Sequence, residues 1–214
     1  MKLAVLISAF NEGKTVADMV RVALKAALGE VLVVSDGSTD DTARNARAAG
    51  ASVLELPVNS GKGAAVAAGA RHLEGVEYLV LLDADLVNLT PAHIVALLEP
   101  IQMGRAQTTA GLFSGGGALT DFGNRATPTW SGQRGIPRQT ILNTPNLETR
   151  GYGIELAIND SIAREGLRLE YVDLPGVSQV LKEQKRGLVA GLLWRFKMYW
   201  QIFRYTLQRS KLRS

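Results

Sequence analysis

Short apolar runs alternate with helix-spaced stretches through the first hundred residues, and this rhythm narrows the fold more than any other feature. Leu3–Ile7, Val31–Val34, Ser52–Leu56 and Glu77–Leu82 read as buried strands. Between them, Thr15–Leu28 carries apolar residues at helical spacing (Val16, Met19, Val20, Ala23, Leu24). Thr39–Ala49 is an Ala/Arg-rich helix closed by Gly50, and Gly63–Leu73 is a helix of small residues. Pro91 suits the first turn of a further helix running to Met103, and Ala106–Phe113 reads as a fifth strand. Strand–helix alternation at this pitch predicts an α/β fold with a mostly parallel central sheet flanked by helices. Ligands of such sheets bind beyond the carboxyl ends of the strands.

The rest of the chain departs from this rhythm. Ser114–Asn146 is rich in Gly, Pro, Thr and Asn and reads as a long irregular segment, the kind that carries function inside a compact domain. Tyr152–Gly166 reads as a helix and Leu167–Leu174 as another strand. From Lys182 onward nine Lys/Arg face one acid, Glu183, whereas residues 1–181 hold 15 basic and 19 acidic residues. The expected division is therefore a domain over 1–180 and a basic amphipathic C-terminal helix over 181–214. With 46% hydrophobic residues and no cysteine, the chain can bury a core but offers neither disulfides nor thiolate chemistry. The apolar start, Leu3–Phe10, is too short for a signal peptide or a membrane span. The expected location is cytoplasmic, soluble or peripheral on the inner face of the membrane.

Acidic residues gather where the predicted strands end. Asp83 and Asp85 follow strand four, Asp36 ends strand two, and Asn11 and Glu12 follow strand one. Like charges at close range resist burial, and a hard cation such as Mg²⁺ or Mn²⁺ relieves an Asp-x-Asp pair. The alternative is two acids at a solvated strand end. Gly61-Lys62-Gly63 offers an anion contact at a helix start but is no Walker motif. Val66 stands where a dinucleotide fingerprint needs its third glycine, so the sequence argues against dehydrogenase and P-loop chemistries. Ser38 or Thr39 is expected to cap the second helix, with Asp40 and Asp41 at its positive end.

Four motifs in order, Ser8-Ala9-Phe10-Asn11-Glu12, Val34-Ser35-Asp36-Gly37-Ser38-Thr39-Asp40, Asn59-Ser60-Gly61-Lys62-Gly63 and Asp83-Ala84-Asp85-Leu86, resemble family-two glycosyltransferases of the GT-A fold. The resemblance is to their dolichyl-phosphate mannose synthase-like and glucosyl-3-phosphoglycerate synthase-like branches. It continues through Ser131-Gly132-Gln133-Arg134 and Gly151-Tyr152-Gly153-Ile154-Glu155, and so covers residues 1–180. It implies transfer of a sugar from a UDP- or GDP-sugar to a small phosphorylated or lipid-phosphate acceptor, with a divalent cation, Mg²⁺ or Mn²⁺. At matching positions it implies that Ala9, Asn11, Glu12 and Asp36 hold base and ribose. Lys62 would lie near base or phosphates, and Asp83 would face the ribose and metal-bound water. Asp85 would ligate the metal. Ser131, Gly132, Gln133, Arg134 and Glu155 would face donor sugar and acceptor, with Glu155 a candidate general base. Many relatives place a metal-binding histidine after the last strand; here Gln179 stands in that place.

Three further readings frame the expectation. Gln179 motivates a degenerate transferase that binds nucleotide without turnover. A nucleotidyltransferase would need a glycine-rich basic loop after strand one, which Ser8–Lys14 does not supply. The tail suits packing on its own domain or a twin subunit in a homodimer, or a membrane interface with Trp and Tyr at headgroup level. Its aromatics fall within an apolar face, not on a stacking platform, which argues against nucleic acid.

Overall fold

The computed structural model describes residues 1–114, 131–149 and 153–179. Its centre is a five-stranded sheet in the order β3-β2-β1-β4-β7. The strands are β1 (Leu3–Ala9), β2 (Glu30–Asp36), β3 (Ser52–Leu56), β4 (Tyr78–Asp83) and β7 (Arg134–Pro137). The first four run parallel, and β7 closes the sheet antiparallel to β4, with Leu81 opposite Arg134. A near-continuous apolar run is what a strand covered on both faces needs. In β1, Val5 and Ile7 face one core with Val16, Met19, Val20 and Ala23 of α1 (Val16–Lys25), at the spacing that the sequence predicts. Ala4 and Leu6 face the other, with Ala65, Val66 and Ala70 of α3 (Lys62–His72). Gly69 lets α3 approach so closely that a Cβ there would lie 2.4 Å from Leu6 Cδ1 and 2.9 Å from Val34 Cγ2.

Three expectations need correction. The helix from Pro91 is two, α4 (Pro91–Ala96) and α5 (Glu99–Gln102). Pro100 supplies no N–H, and its ring would collide with the carbonyl of Ala96 in a continuous helix. The segment Ser114–Asn146 is not wholly irregular, since β7 and α6 (Arg138–Leu142) lie within it. Finally, α2 (Thr42–Ala48) starts after Asp41, with no side-chain cap from Ser38 or Thr39. The Ser38 hydroxyl instead accepts the Asn11 N–H at 3.1 Å, and the Thr39 hydroxyl donates to Asn11 Oδ1 at 3.4 Å. Gly50 does stop this helix, at φ +103°.

β6 (Thr108–Ser114) meets the sheet edge through the Thr108 and Thr109 side chains and a backbone bond from the Gly111 N–H to the Gln133 carbonyl at 2.8 Å. The Thr108 hydroxyl donates to the Gly135 carbonyl at 2.9 Å, and the Gly135 N–H donates to Thr109 Oγ1 at 3.0 Å. β6 pairs in parallel with β8 (Leu169–Pro175), reached through α7 (Ile154–Arg164). A short antiparallel pair, β5 (Leu86–Val87) with β9 (Ser178–Gln179), returns the chain to the end of β4. The fold is thus the expected α/β arrangement, with β1, β2 and β4 ending on one edge. The expected C-terminal helix over 181–214 lies outside the described residues, as do Gly151 and Tyr152.

Candidate active site

Two polar clusters form along the carboxyl edge. The first joins the turns after β1 and β2. Asn11 adopts φ +55°, a left-handed conformation that asparagine tolerates better than most residues. Its Oδ1 accepts the Thr39 N–H at 2.9 Å, and its own N–H donates to Ser38 Oγ at 3.1 Å. The Glu12 N–H donates to Thr42 Oγ1 at 2.8 Å, and the Gly13 N–H to Asp40 Oδ2 at 3.0 Å. Ser38, Thr39 and Asp40 therefore fasten one turn to the other. Burial alone would raise the Asp40 pKa, but the Thr42 hydroxyl and the Gly13 and Thr42 N–H groups hold it below the usual value. Ala9 is buried, so its side chain serves the core.

Asp36 links this cluster to the next. It is 3% exposed, and its two carboxylate oxygens accept the N–H groups of Ser60 and Gly61, both at 2.8 Å. Gly37, at φ +65°, lies so close to this turn that a Cβ would meet Asn59 N at 2.3 Å. Asp36 and Gly37 thus fix the turn that delivers Lys62 at the start of α3.

The second cluster centres on Asp83. Lys62 Nζ lies 2.6 Å from Asp83 Oδ1 and 3.0 Å from Glu155 Oε1. Asp83 Oδ2 accepts the side-chain amides of Gln133 at 2.9 Å and Gln179 at 2.7 Å. Burial would lower the Lys62 ammonium, but the Asp83 and Glu155 carboxylates outweigh it and hold its pKa above the ordinary lysine value. Gly132 sits on this pair; a Cβ there would lie 2.5 Å from Lys62 Nζ and 3.1 Å from Asp83 Oδ2. Asp85 follows two residues later, half-buried between β4 and β5.

Lys62, Asp83, Gly132, Gln133, Glu155 and Gln179 therefore come together. Arg134 is 1% exposed, and its guanidinium bonds the Ser131 carbonyl and Asn159 Oδ1. Gln179 is at the predicted location, yet its amide N–H meets Asp83 instead of Asp85. Among the described residues no cluster of three or more His, Cys, Asp or Glu side chains could enclose a metal. His93 caps α4, its Nδ1 accepting the Thr90 N–H at 3.2 Å, and His72 closes α3. The reading of the sequence missed Asn159, and only its i+4 spacing from Glu155 could have pointed to it.

A parallel sheet with acids on its carboxyl edge suits several enzyme classes, and comparison decides among them. The profile of glycosyl transferase family 2 matches residues 4–160. The chain belongs to glycosyl transferase family 2. Glucosyl-3-phosphoglycerate synthase of Mycobacterium tuberculosis (strain ATCC 25618 / H37Rv) is 28% identical over 204 residues, covering 77% of this chain and 62% of that protein. The chain thus spans about three fifths of that relative's length. Undecaprenyl-phosphate 4-deoxy-4-formamido-L-arabinose transferase of Klebsiella pneumoniae (strain 342) is 35% identical over 114 residues, 48% of this chain and 34% of that protein. Among solved structures, the M. tuberculosis synthase in complex with Mn²⁺, UDP-glucose and phosphoglyceric acid superposes with a TM-score of 0.71 at 26% identity. That superposition covers 91% of this chain and 79% of the synthase. The same synthase in complex with Mg²⁺ and UDP gives 0.70. These likenesses establish the GT-A fold of the family-2 enzymes for this chain.

Proposed function

We propose that this chain is a hexosyltransferase that moves a sugar from a UDP- or GDP-sugar to a small phosphorylated or lipid-phosphate acceptor, with Mg²⁺ or Mn²⁺ as cofactor. The observation that carries the reading is the convergence of Lys62, Gln133 and Gln179 on Asp83, two residues before Asp85, at the carboxyl edge of the sheet. The synthase's complexes with UDP favour uridine over guanosine. Its phosphoglyceric acid and the lipid phosphate named for the Klebsiella relative span the acceptor class.

The donor set fits a hard cation. Asp85 offers carboxylate oxygen, and a site with one or two carboxylates that completes its shell with diphosphate oxygens and water suits Mg²⁺ or Mn²⁺. Gln179 can add an amide oxygen if its side chain turns from Asp83. When bound, the cation neutralises the leaving nucleoside diphosphate. The chain's own residues do the rest. Asp83, held by three donors, presents a fixed acceptor to the donor's ribose. The turns carrying Asn11, Glu12 and Asp36 wall the base side. Lys62, 30% exposed, supplies a positive charge at the helix start, where diphosphate binds well. Glu155 stands in the first turn of α7, across Lys62 from Asp83, and is assigned to orient the acceptor hydroxyl and take its proton. Ser131, Gly132 and Gln133 line the sugar side.

Titration calorimetry with UDP and GDP, with and without Mn²⁺ or Mg²⁺, tests this reading. Metal-dependent binding that Asp85→Ala abolishes is expected; no binding of either nucleotide under any metal overturns it. The degenerate-transferase reading draws on Gln179, whose amide faces Asp83. It predicts nucleotide binding without turnover, and no gain of turnover in Gln179→His would speak against it having lost activity through that position.

Among the described residues no helix is long and apolar enough to cross a membrane. The basic segment 181–214 is proposed to bring the enzyme to an anionic inner membrane surface in the cytoplasm or to a second subunit. Flotation with phosphatidylglycerol vesicles and the mass in solution separate the two.

A further inference from the structure

Among the described residues Arg134 heads the fully buried side chains by size. A guanidinium carries five N–H donors in a rigid plane, and burying it is costly unless acceptors meet them. Here Nε and Nη2 donate to the Ser131 carbonyl at 3.1 and 2.7 Å, and Nη1 donates to Asn159 Oδ1 at 2.8 Å. Burial still pushes the Arg134 pKa down to about 10, against the charge of Glu155.

The place of the pinned carbonyl explains the expense. Ser131 lies two residues before Gln133, which is 1% exposed and whose amide holds Asp83 Oδ2. Between them is Gly132, in closest approach to the Lys62–Asp83 pair. A turn packed this tightly on a charged pair transmits its own displacement to the carboxylate. Asn159 sits one helical turn after Glu155, so one face of α7 sends a carboxylate to Lys62 and an amide to Arg134.

We infer that Arg134 and Asn159 are positioning residues for the donor site. Asn159 aims the guanidinium, the guanidinium pins the Ser131–Gln133 turn, and the turn holds the Asp83 carboxylate in its receiving orientation. Neither residue touches substrate. This rests on the nucleotide-sugar reading of the Asp83 site.

The test uses the full chain with Asn159→Ala, Asn159→Asp and Arg134→Lys. UDP affinity in the presence of Mn²⁺ is measured by calorimetry, and amide hydrogen exchange is followed over residues 131–135. Asn159→Ala is expected to weaken UDP binding about tenfold, the usual scale for loss of an outer supporting contact, and to speed exchange across the turn. Asn159→Asp recovers both, because a carboxylate oxygen accepts the same bond. Arg134→Lys, which cannot span two acceptors with one plane, behaves like Asn159→Ala. A purely structural role would lower the melting temperature but leave the UDP affinity of the folded variants at the wild-type value. Unchanged affinity and unchanged exchange in Asn159→Ala overturn the inference, as does a loss that Asn159→Asp does not recover. If Asn159→Ala does not fold, Asn159→Ser carries the same comparison. Should the wild-type chain bind no nucleotide, the nucleotide-sugar reading fails by itself, and the exchange data alone decide whether Asn159 and Arg134 pin the turn.

Discussion

Asp36 offers the sharpest test of how the edge of this sheet is built. Its carboxylate is 3% exposed and accepts two backbone N–H groups at 2.8 Å each. Hydrogen bonds to an ionised acceptor contribute about 1.5–3 kcal/mol apiece. Asp36→Asn keeps one acceptor oxygen but turns an NH₂ toward the second N–H, and so loses one bond, about 1.5–3 kcal/mol. Asp36→Ala loses both. Ser60 is exposed, however, so water can satisfy its N–H once the turn loosens. The cost of Asp36→Ala is therefore set near 3 kcal/mol, well below twice the upper figure. For a chain of this size about 1 kcal/mol shifts the melting temperature by roughly 2–4 °C. Asp36→Asn should fall by about 3–12 °C and Asp36→Ala by about 6–12 °C. Urea unfolding supplies the free energies directly, and the slope should stay unchanged because the buried surface does. Amide exchange at Asn59–Gly61 should accelerate in both variants. A wild-type urea midpoint in Asp36→Ala would refute the clamp. Wild-type exchange at Gly61 would do the same.

Four other expectations follow from the same coordinates. Gly132→Ala places a Cβ 2.5 Å from Lys62 Nζ, so the ammonium must retreat by about 0.9 Å to reach ordinary contact; UDP–Mn²⁺ affinity should drop several-fold with little change in urea midpoint. Gly69→Ala gains up to about 1 kcal/mol of helix propensity but drives into Leu6 and Val34, where overpacking costs about 1–3 kcal/mol; net destabilisation by chemical denaturation is expected. Asp40 has a pKa held below its ordinary 3.8, so its stabilising contribution is present above that value and lost as pH falls through the lowered one. Asp40→Asn should therefore flatten the acid limb of a melting-temperature profile below pH 3.8, modestly, because the residue is exposed. Glu155→Gln should lower kcat by about 10²–10⁴ with UDP affinity within a few-fold of wild type, if the carboxylate takes the acceptor's proton; an unchanged kcat would remove it from that role.

The parallel half of the fold is legible in the sequence because a strand buried on both faces must be apolar throughout, and β1, β2 and β4 are. β7 is not legible. Arg-Gly-Ile-Pro has neither a long apolar run nor an alternation, and its seam to β6 runs through the hydroxyls of Thr108 and Thr109, which no strand periodicity announces. The α4–α5 break was readable from Pro100, yet Pro91 two turns earlier favours one longer helix. In the site, charged residues at strand ends announce themselves. The resemblance marks Gln133 and Gln179 as site positions, but nothing in the sequence pairs their amides with Asp83, because that partner is set by tertiary approach. The partners of Arg134 are hidden for a related reason: a motif position places a residue along the chain, but its guanidinium is met by Asn159, 25 residues away.

The β5–β9 pair has a kinetic meaning. It brings the chain back to the end of β4, and the backbone leaves Gln179 with that residue's amide 2.7 Å from Asp83. Gln179 is the last described residue before the segment 180–214, which carries nine Lys/Arg and one acid. Were that segment to hold a surface, as proposed above, its attachment beside Asp83 would limit how far that surface can stray from the site. Linked sites meet at effective concentrations of about millimolar order when the span is short. An acceptor displayed on such a surface would be found by search in two dimensions near the pocket, with the encounter rate set by tether length and not by its bulk concentration.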